Sequence, residues 1–373
     1  MDQPIKIAID CRDLYLAKTG TKTYLNELLF CLKNNNSSNF NIIEIRPFFH
    51  ISNSVSYYLK PLKHLQFLLW KQISLPLICL FKNADVLICT DYFLPLIKIK
   101  TKHIVVFHDA FFWEYPSHYN RLWLKLFHLF AIPPAKRADR ILVPSFYVRK
   151  RLLYYLNHDI SKITVVYEAP KSFPLEFESS KLDLDNTIPT PYILHVGTLS
   201  KHKNIPFLIN AFKIATKDLL EKWHLILVGG PGNSINDDDA LNVSQIIYSQ
   251  SLQDHVHLVG HVNEKSLFRY YSGASGYIFP SYNEGFGLPI LEAMKFKLPI
   301  AAANNTCLPE IAKNASIYFN PYDITDLVKS IRKIICKDHD VKETILNQEK
   351  VLSSYSWQKS TSEIISLCTE IVK

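Results

Sequence analysis

Glycine and methionine are scarce in this chain of 373 residues, with ten and two copies respectively. So little glycine excludes a collagen-like repeat, and 48% hydrophobic with 20% charged residues excludes a disordered chain. The seven cysteines are scattered and form no C-x-x-C pair, so they indicate neither a disulfide scaffold nor a zinc site. We expect them to be reduced and mostly buried.

Long uninterrupted apolar runs are also missing. The most apolar stretch, residues 65–81, is interrupted by Lys71, Gln72 and Pro76, so we expect no segment to span a bilayer. The N-terminal residues MDQPIK lack the basic patch and the apolar run of a secretory signal. We therefore expect the protein to be cytoplasmic.

The length favours two domains, because single hydrophobic cores tend to split beyond roughly 250–300 residues. Short β-branched or aromatic runs alternate with segments of helical period in both halves, which predicts parallel, doubly wound α/β domains. A polar stretch punctuated by prolines, 169–190, predicts the boundary between them. The predicted strands are Ile5–Ile9, Ile42–Ile45, Val86–Cys89, His103–Phe107, Arg140–Val143, Ile163–Tyr167, Tyr192–Val196, His224–Val228, Val256–Val259, Tyr277–Phe279, Leu298–Ala301 and Ser316–Phe319.

Positive charge is concentrated in the first half. Residues 1–170 carry 22 Lys and Arg against 12 Asp and Glu, and the remainder is slightly acidic. Nucleic acid, anionic lipid and a phosphorylated substrate all fit this asymmetry, although no nucleic-acid reading module is recognisable. Segments 57–71 and 121–128 mix lysines with aromatic residues at helical spacing, which favours either peripheral contact with an anionic membrane or an ordinary helix with one core face and one solvent face.

The distribution of glycine points to a ligand. Nine of the ten glycines fall between residues 197 and 287, at the ends of predicted strands, and the tenth is Gly20. Glycine is needed where main chain approaches a ligand or adopts a positive φ. This pattern therefore predicts that the second domain binds a ligand largely through its main chain.

The segment Glu284-Gly-Phe-Gly-Leu-Pro-Ile-Leu-Glu292 is the most informative motif. Two glycines precede a predicted helix with proline in its first turn, so main-chain N–H groups at the helix N-terminus can hold a phosphate. Glu284 and Glu292 can then accept hydrogen bonds from different hydroxyl groups of one ligand. The alternative is that Glu292 only complements the helix dipole and that Glu284 is a solvated loop residue.

Three other patterns could suggest a metal or dinucleotide site, but each has a simpler interpretation. Asp237, Asp238 and Asp239 precede a predicted helix, where acidic residues complement its N-terminus, so we prefer a solvated cap to a metal site. The segment 230–232 begins a dinucleotide fingerprint but lacks its third glycine. His255 and His257 share one face of a strand without other ligands nearby, so we expect them on its surface.

The Glu-x7-Glu motif with Gly-Phe-Gly-Leu-Pro inside it resembles the signature of the retaining glycosyltransferases of family 4. The resemblance extends in order through segments 10–24, 107–116, 138–145, 196–204, 227–230, 259–262, 308–310 and 355–357. It implies a GT-B fold, in which two Rossmann-like domains face each other across a cleft. The implied first domain is 1–175 with a returning C-terminal helix, 356–373, and the second is 176–355.

The resemblance also implies roles for individual residues. His108, Glu284 and Lys203 take part in the reaction, with Glu284 on the donor sugar and Lys203 on the diphosphate. His202 stands where the family pattern has arginine, which leaves Lys203 a larger share of the phosphate charge. The residues that bind the donor nucleotide sugar are Gly20, Gly197, Thr198, His202, Lys203, His261, Val262, Glu284, Gly285, Phe286, Gly287, Leu288 and Glu292.

The implied reaction is transfer of a hexose with retention and without an obligatory metal or other cofactor. The His108-Asp109 segment favours GDP-mannose as the donor. The resemblance also suggests a saccharide or lipid-linked saccharide acceptor, in the assembly of a surface polysaccharide or glycolipid. Two alternatives remain at this stage. One is a GT-B nucleotide-sugar epimerase, and the other is a catalytically silent relative that binds the donor.

Overall fold

The computed structural model describes residues 3–16, 20–35, 39–47, 60–157, 159–174, 176–177, 188–232, 234 and 236–373. The chain divides into two units. The first contains 1–116, 120–169 and 356–373, and the second contains 117–119 and 170–355. The first unit thus ends six residues before the boundary at 175 that the sequence predicts.

A six-stranded parallel sheet forms the centre of the first unit, in the order β2-β1-β3-β4-β5-β6. Its central strands are almost entirely buried, as expected for parallel strands covered by helices on both faces. The strands are β1 Ile5–Asp10, β2 Phe40–Ile45, β3 Val86–Cys89, β4 Lys102–Val106, β5 Arg140–Val143 and β6 Ile163–Val165. The helices along the chain are α1 Asp13–Leu16, α2 Gly20–Lys33, α3 Lys60–Leu69, α4 Leu75–Phe81, α5 Phe111–Glu114, α6 Arg121–Phe130, α7 Ile132–Arg137 and α8 Phe146–Leu156, with the C-terminal helix described below.

A single helical run covers α3, a π-helical segment Trp70–Ser74 and α4. By length and composition alone, residues 62–81 are apolar enough to cross a membrane, so the expectation that no segment could do so is wrong on that criterion. Only a third of the stretch is buried inside the protein. Lys71 does not interrupt the run, because its side chain turns inward and is fully buried.

The second unit has the same architecture, with strand order β12-β11-β10-β7-β8-β9, all parallel. Its strands are β7 Tyr192–Val196, β8 His224–Val228, β9 Val256–Gly260, β10 Gly276–Phe279, β11 Ile300–Ala303 and β12 Ile317–Phe319. Its helices are α9 Ile205–Thr216, α10 Ala240–Ser249, α11 Glu264–Gly273, α12 Leu288–Lys295, α13 Leu308–Ala312, α14 Ile324–Ile335 and α15 His339–Leu352. The last helix, α16 Trp357–Val372, packs on α2 in the first unit.

Both sheets reverse their strand order once. In the first unit the reversal lies between β1 and β3, and in the second it lies between β7 and β10. Loops leaving neighbouring strands in opposite directions open a crevice at the carboxyl ends of those strands, which is where open α/β sheets bind ligands. The fold therefore marks one candidate crevice in each unit.

All twelve predicted strands are present, and the predicted α/β fold with two parallel sheets is confirmed. Several predicted features fall outside the described residues, namely half of the linker (175 and 178–187), Thr19 in the first glycine loop and the start of the lysine-aromatic segment at 57–59.

Candidate functional site

An ion pair between Lys203 and Glu284 occupies the crevice of the second unit. Lys203 follows β7 and Glu284 follows β10, and these strands are neighbours although the residues are 81 positions apart. The Lys203 Nζ atom lies 2.6 Å from Glu284 Oε1, and each side chain is 12% exposed. The two residues predicted to hold the diphosphate and the sugar are thus brought together and bonded to each other.

Burial by itself would raise the pKa of Glu284. Attraction to the Lys203 ammonium, assisted by His202 and by the hydrogen bond from Lys203, outweighs burial and holds that pKa below its ordinary value. Glu284 is therefore an anion near neutral pH. The Lys203 ammonium also lies 5.1 Å from the centre of the Phe279 ring, a favourable cation–π contact.

Close main-chain approach shapes the loop after β7. The N–H of Gly197 donates to the carbonyl of Val228, which holds this loop against the end of β8. Gly229 has φ +150°, and a Cβ built there would lie 1.8 Å from the Gly197 carbonyl oxygen. Thr198 is half-buried beside them, with its hydroxyl 3.0 Å from that of Ser200. At least one glycine of the predicted ligand edge is therefore required by the packing of the two loops.

The N-terminus of α12 forms the other side of this crevice. Gly287 caps the helix in the left-handed region, at φ +95°, and Pro289 occupies the first turn. Gly285, Phe286 and Gly287 are buried, and Leu288 is half-buried. The predicted helix start is correct, while contact between these amides and a diphosphate stays a prediction.

His202 contacts an acidic residue rather than Glu284. Its Nδ1 atom lies 3.5 Å from Asp237 Oδ1, and His118 Nδ1 lies 3.0 Å from the same oxygen. Donor atoms of these three residues lie within 4.8 Å of one another, a geometry that can hold a metal ion. Asp237 is half-buried between the two imidazoles, so the expectation of a solvated cap is wrong for it. At the helix itself, Asp239 is the N-cap residue but makes no side-chain cap bond, and Asp238 accepts from the N–H of Ala240.

Glu292 is buried within the second unit. Its Oε2 atom accepts a hydrogen bond of 2.9 Å from the Tyr271 hydroxyl, and its side chain is among the buried acidic residues of the chain. His261 and Val262 follow β9, where His261 is exposed and Val262 is half-buried. Their contact with the donor stays a prediction, as does that of Glu292.

His108 is fixed within the first unit, at the end of β4. Its Nδ1 atom lies 3.1 Å from Glu168 Oε1 and its Nε2 atom lies 2.9 Å from the Thr90 carbonyl oxygen. Burial opposes its protonation, but hydrogen bonding and attraction to Glu168 raise the net pKa of His108 above its ordinary value. Both ring nitrogens of His108 thus face acceptors of its own unit, the Glu168 carboxylate and the Thr90 carbonyl. Gly20 is exposed at the start of α2 in the same unit.

The sequence analysis missed a cluster of charged residues in the first unit, in which Lys71 and Asp10 are buried and Asp91 is half-buried. Lys71 Nζ lies 2.6 Å from Asp10 Oδ2 and also donates to Asp91, with the Lys71 side chain fully buried. Burial opposes the charge of Lys71, yet attraction to Asp10 and Asp91 raises its pKa overall. A lysine inside an apolar helical stretch, together with acidic residues at two strand ends, is the signal that could have revealed this triad.

A further cavity, of about 630 Å³, lies elsewhere in the second unit. Phe173, Phe268 and Phe296 contribute to its lining, together with Lys295. It includes none of the residues predicted to bind the donor.

Comparison with known proteins identifies the class. Residues 180–351 match the family model described as glycosyl transferases group 1. The chain superimposes on sucrose-phosphate synthase from Thermosynechococcus elongatus with a TM-score of 0.72 and 16% identity, over 98% of this chain and 99% of the other. It superimposes on HepE from Anabaena, solved with UDP and glucose, with a TM-score of 0.68 and 16% identity, over 98% and 100%. The second unit is therefore a group 1 glycosyltransferase domain, in a chain with the GT-B fold.

Two mannosyltransferases are similar to this chain in sequence. The chain is 27% identical over 277 residues to the O-antigen chain mannosyltransferase RfbU of Salmonella typhimurium, covering 74% of this chain and 71% of the relative. It is 24% identical over 267 residues to the O-antigen chain mannosyltransferase B of Escherichia coli, covering 70% and 69%. The resemblance to the GT-B glycosyltransferases that the sequence motifs indicated is confirmed.

Proposed function

We propose that the chain transfers a mannosyl residue from GDP-mannose to a saccharide or lipid-linked saccharide during assembly of a surface polysaccharide or glycolipid. The transfer retains the anomeric configuration and needs no metal ion. The observation that carries this proposal is the Lys203–Glu284 pair at the strand-order reversal of a group 1 glycosyltransferase domain.

The Lys203–Glu284 pair can contact both the diphosphate and the sugar of a nucleotide sugar. An ammonium has three N–H donors, so Lys203 can keep its bond to Glu284 while it also contacts a phosphate oxygen. Negative charge grows on the diphosphate as the glycosidic bond breaks, and a fixed cation aimed at it lowers the barrier. Glu284, held as an anion, accepts hydrogen bonds from sugar hydroxyls.

Retention follows if the acceptor attacks the face that the diphosphate leaves. The bond between the anomeric carbon and the phosphate oxygen breaks, the bond from the acceptor oxygen forms, and the hydroxyl proton passes to the departing phosphate oxygen. The Lys203 charge takes the part that a divalent cation would otherwise play at the leaving group. Mannose as the transferred sugar is supported by the named activity of the curated relatives, and GDP by the His108-Asp109 segment.

Binding of the donor is tested by thermal shift with GDP-, UDP- and dTDP-sugars. A donor at 100 times its Kd should add about 2.7 kcal/mol of stability. We expect GDP-mannose to give the largest shift, and both Lys203→Ala and Glu284→Ala to abolish it. Lys201→Ala, in the same turn but exposed, is the matched control and should keep it. A larger shift with a UDP-sugar would overturn the choice of base.

Transfer is tested with radiolabelled donor, with and without acceptor extract. We expect radiolabel in a glycan only when acceptor is present. The new glycosidic bond should have the same anomeric configuration as the donor, as judged by NMR. EDTA should not reduce the amount of product. Donor turnover without acceptor would favour an epimerase, and binding without turnover would favour a silent relative.

A cytoplasmic location at the inner face of a membrane completes the proposal. A stripe of apolar side chains, spaced by three or four residues and each 41–51% exposed, runs along the 62–81 helical run: Leu62, Leu65, Leu69, Ile73, Leu77 and Leu80. The exposed Lys82 follows its C-terminal end, and a lysine near anionic lipid contributes about 1 kcal/mol. We expect co-sedimentation with vesicles containing phosphatidylglycerol, lost in a Leu65→Gln/Leu69→Gln double variant. Leu346→Gln, at a leucine of the second unit that is more exposed than either, is the control. Equal binding by the double variant and the wild type would contradict this location.

A further inference from the structure

Three residues from distant parts of the sequence meet in the second unit. His118 belongs to the short segment 117–119, His202 to the turn after β7, and Asp237 to the loop after β8. Their side chains are only 11–16% exposed, so the cluster is largely shielded from solvent. Two imidazoles and one carboxylate therefore lie together in a position where water competes little for their nitrogen and oxygen atoms.

The separations of these atoms suit a tetrahedral metal ion. Asp237 Oδ1 lies 3.0 Å from His118 Nδ1 and 3.5 Å from His202 Nδ1. An ion with nitrogen and oxygen ligands at about 2.0–2.1 Å, as in zinc sites, separates neighbouring ligand atoms by about 3.3–3.4 Å. The two observed separations lie on either side of this value, so a small adjustment lets the cluster hold an ion. Three protein ligands leave the fourth position to a water molecule.

Hydrogen bonds to main-chain carbonyls hold the three ligands in place. The Ser234 hydroxyl donates to the carbonyl of His118 at 2.6 Å, which fixes that histidine on the loop of Asp237. The N–H of Lys201 donates to the carbonyl of Asp237 at 2.9 Å, which fixes the same loop on the turn of His202. The ligands are thus positioned by bonds that their own side chains do not make, and a metal ion need not order them on binding.

The lysines of the same turn are engaged by other groups. Lys203 Nζ pairs with Glu284 at 2.6 Å. The Lys201 ammonium donates to the carbonyl of Asn236 at 2.6 Å. The choice of ion then depends on the ligand atoms themselves. Imidazole suits zinc and related transition-metal ions, whereas Mg²⁺ and Ca²⁺ prefer sites made of oxygen ligands.

We infer that His118, His202 and Asp237 form a binding site for a divalent transition-metal ion of the zinc type, with water as its fourth ligand. The ion cross-links three segments that are far apart in sequence and thereby stabilises the turn that carries Lys203. His202 binds it in the orientation that its side chain already has, towards Asp237. The site is independent of the proposed transfer, which does not require the ion.

The test is isothermal titration calorimetry with ZnCl₂, without donor or acceptor, on the full chain free of any histidine tag and stripped of metal. We expect one zinc ion to bind per chain and MgCl₂ to give no binding. Asp237→Asn and His118→Gln should each weaken zinc binding about 100-fold or more, because loss of a group that only supports a ligand already costs about 10–100-fold. His257→Gln is the matched control and should bind zinc as the wild type does. It removes an imidazole of the same unit whose Nε2 lies 3.0 Å from His224 Nδ1.

Hydrogen exchange locates the bound ion. Zinc should slow amide exchange in wild-type peptides that cover 200–204 and 236–239, and should not do so in Asp237→Asn. Peptides that cover β9 should exchange at the same rate with and without zinc.

Each outcome decides. A wild type that binds no stoichiometric zinc, or folded Asp237→Asn and His118→Gln variants that bind it unchanged, would overturn the inference and leave an ion pair between imidazole and carboxylate. Loss of binding in His257→Gln would assign the ion to the histidines of β8 and β9 instead, and magnesium binding as tight as zinc binding would refute the class of ion. Should the variants fail to fold by circular dichroism, the wild-type exchange map decides, and protection elsewhere than in 200–204 and 236–239 counts against the site.

Discussion

Replacing Lys203 by methionine should destabilise the second unit, because the substitution keeps most of the side-chain volume and removes the charge. Glu284, 9% exposed, would then be a buried carboxylate without its cation. Removing one partner of a buried ion pair costs about 3–5 kcal/mol. Since each side chain keeps 12% exposure, we expect the lower end, about 3 kcal/mol.

The pH dependence should change sign with this substitution. In the wild type the pKa of Glu284 is lowered, so its contribution to stability is present above the ordinary pKa of about 4.5 and is lost as pH falls through the lowered value. In Lys203→Met, burial dominates and the pKa of Glu284 is raised. The variant should therefore be least stable near neutral pH and should recover as the pH falls towards 4.5.

Hydrogen exchange of peptides that cover β7 and β10 reports the free energy of unfolding of this unit without requiring two-state behaviour of the whole chain. Lys201 lies in the same turn but is exposed, so Lys201→Met should stay within about 0.5 kcal/mol of the wild type. The double variant Lys203→Met/Glu284→Gln should be less destabilised than the sum of its single variants, because both charges are gone. Strict additivity, or equal effects of Lys203→Met and Lys201→Met, would refute a coupled buried pair.

Three further predictions concern other buried or substituted groups. Lys71→Met should cost the first unit about 3–5 kcal/mol, since the aspartates it bridges lose their cation; unchanged hydrogen exchange in β1 and β3 would contradict this. Burial lowers the pKa of both His195 and His103 to about 4. As the pH falls from 6.5 to 4, each histidine should therefore lower the free energy of unfolding by about 3 kcal/mol, and His195→Phe should reduce this pH dependence in the second unit. His202→Arg should tighten GDP-mannose binding several-fold in the thermal-shift titration because guanidinium pairs bidentately with phosphate, whereas Lys201→Arg should leave it unchanged.

The strands were predictable because buried parallel strands are short, continuous apolar runs bounded by turn residues. The helix α15 is hard to predict from the sequence although its buried residues keep helical spacing. Two of the four are polar, Thr344 and Gln348, and their side chains bond to the carbonyls of Val341 and Leu298. The helix α7 is also hard to predict, because two consecutive prolines suggest a helix break. In the structure they lie in its first turn, where proline is tolerated.

The site was predictable only in part. Motif spacing placed Glu284 before a helix and Lys203 after a strand, and both placements are correct. Their direct bond depends on β7 lying beside β10, and strand order is not readable from local sequence. The same limit explains why Glu168, two strands away from His108 in the sheet, escaped attention.

The two crevices differ in how they are built. In the second unit glycines let the loops approach closely, although Gly276 serves packing instead, since a Cβ there would meet Ile334 at 2.4 Å. In the first unit large side chains occupy the corresponding position, with Lys71 as the floor and Trp123 as a wall. Main-chain amides recognise any phosphate, whereas side chains recognise one arrangement of hydroxyls. If the first unit binds the acceptor, as the resemblance implies, exchanging segment 91–93 for that of a relative should alter acceptor choice while the affinity for GDP-mannose, the proposed donor, stays the same.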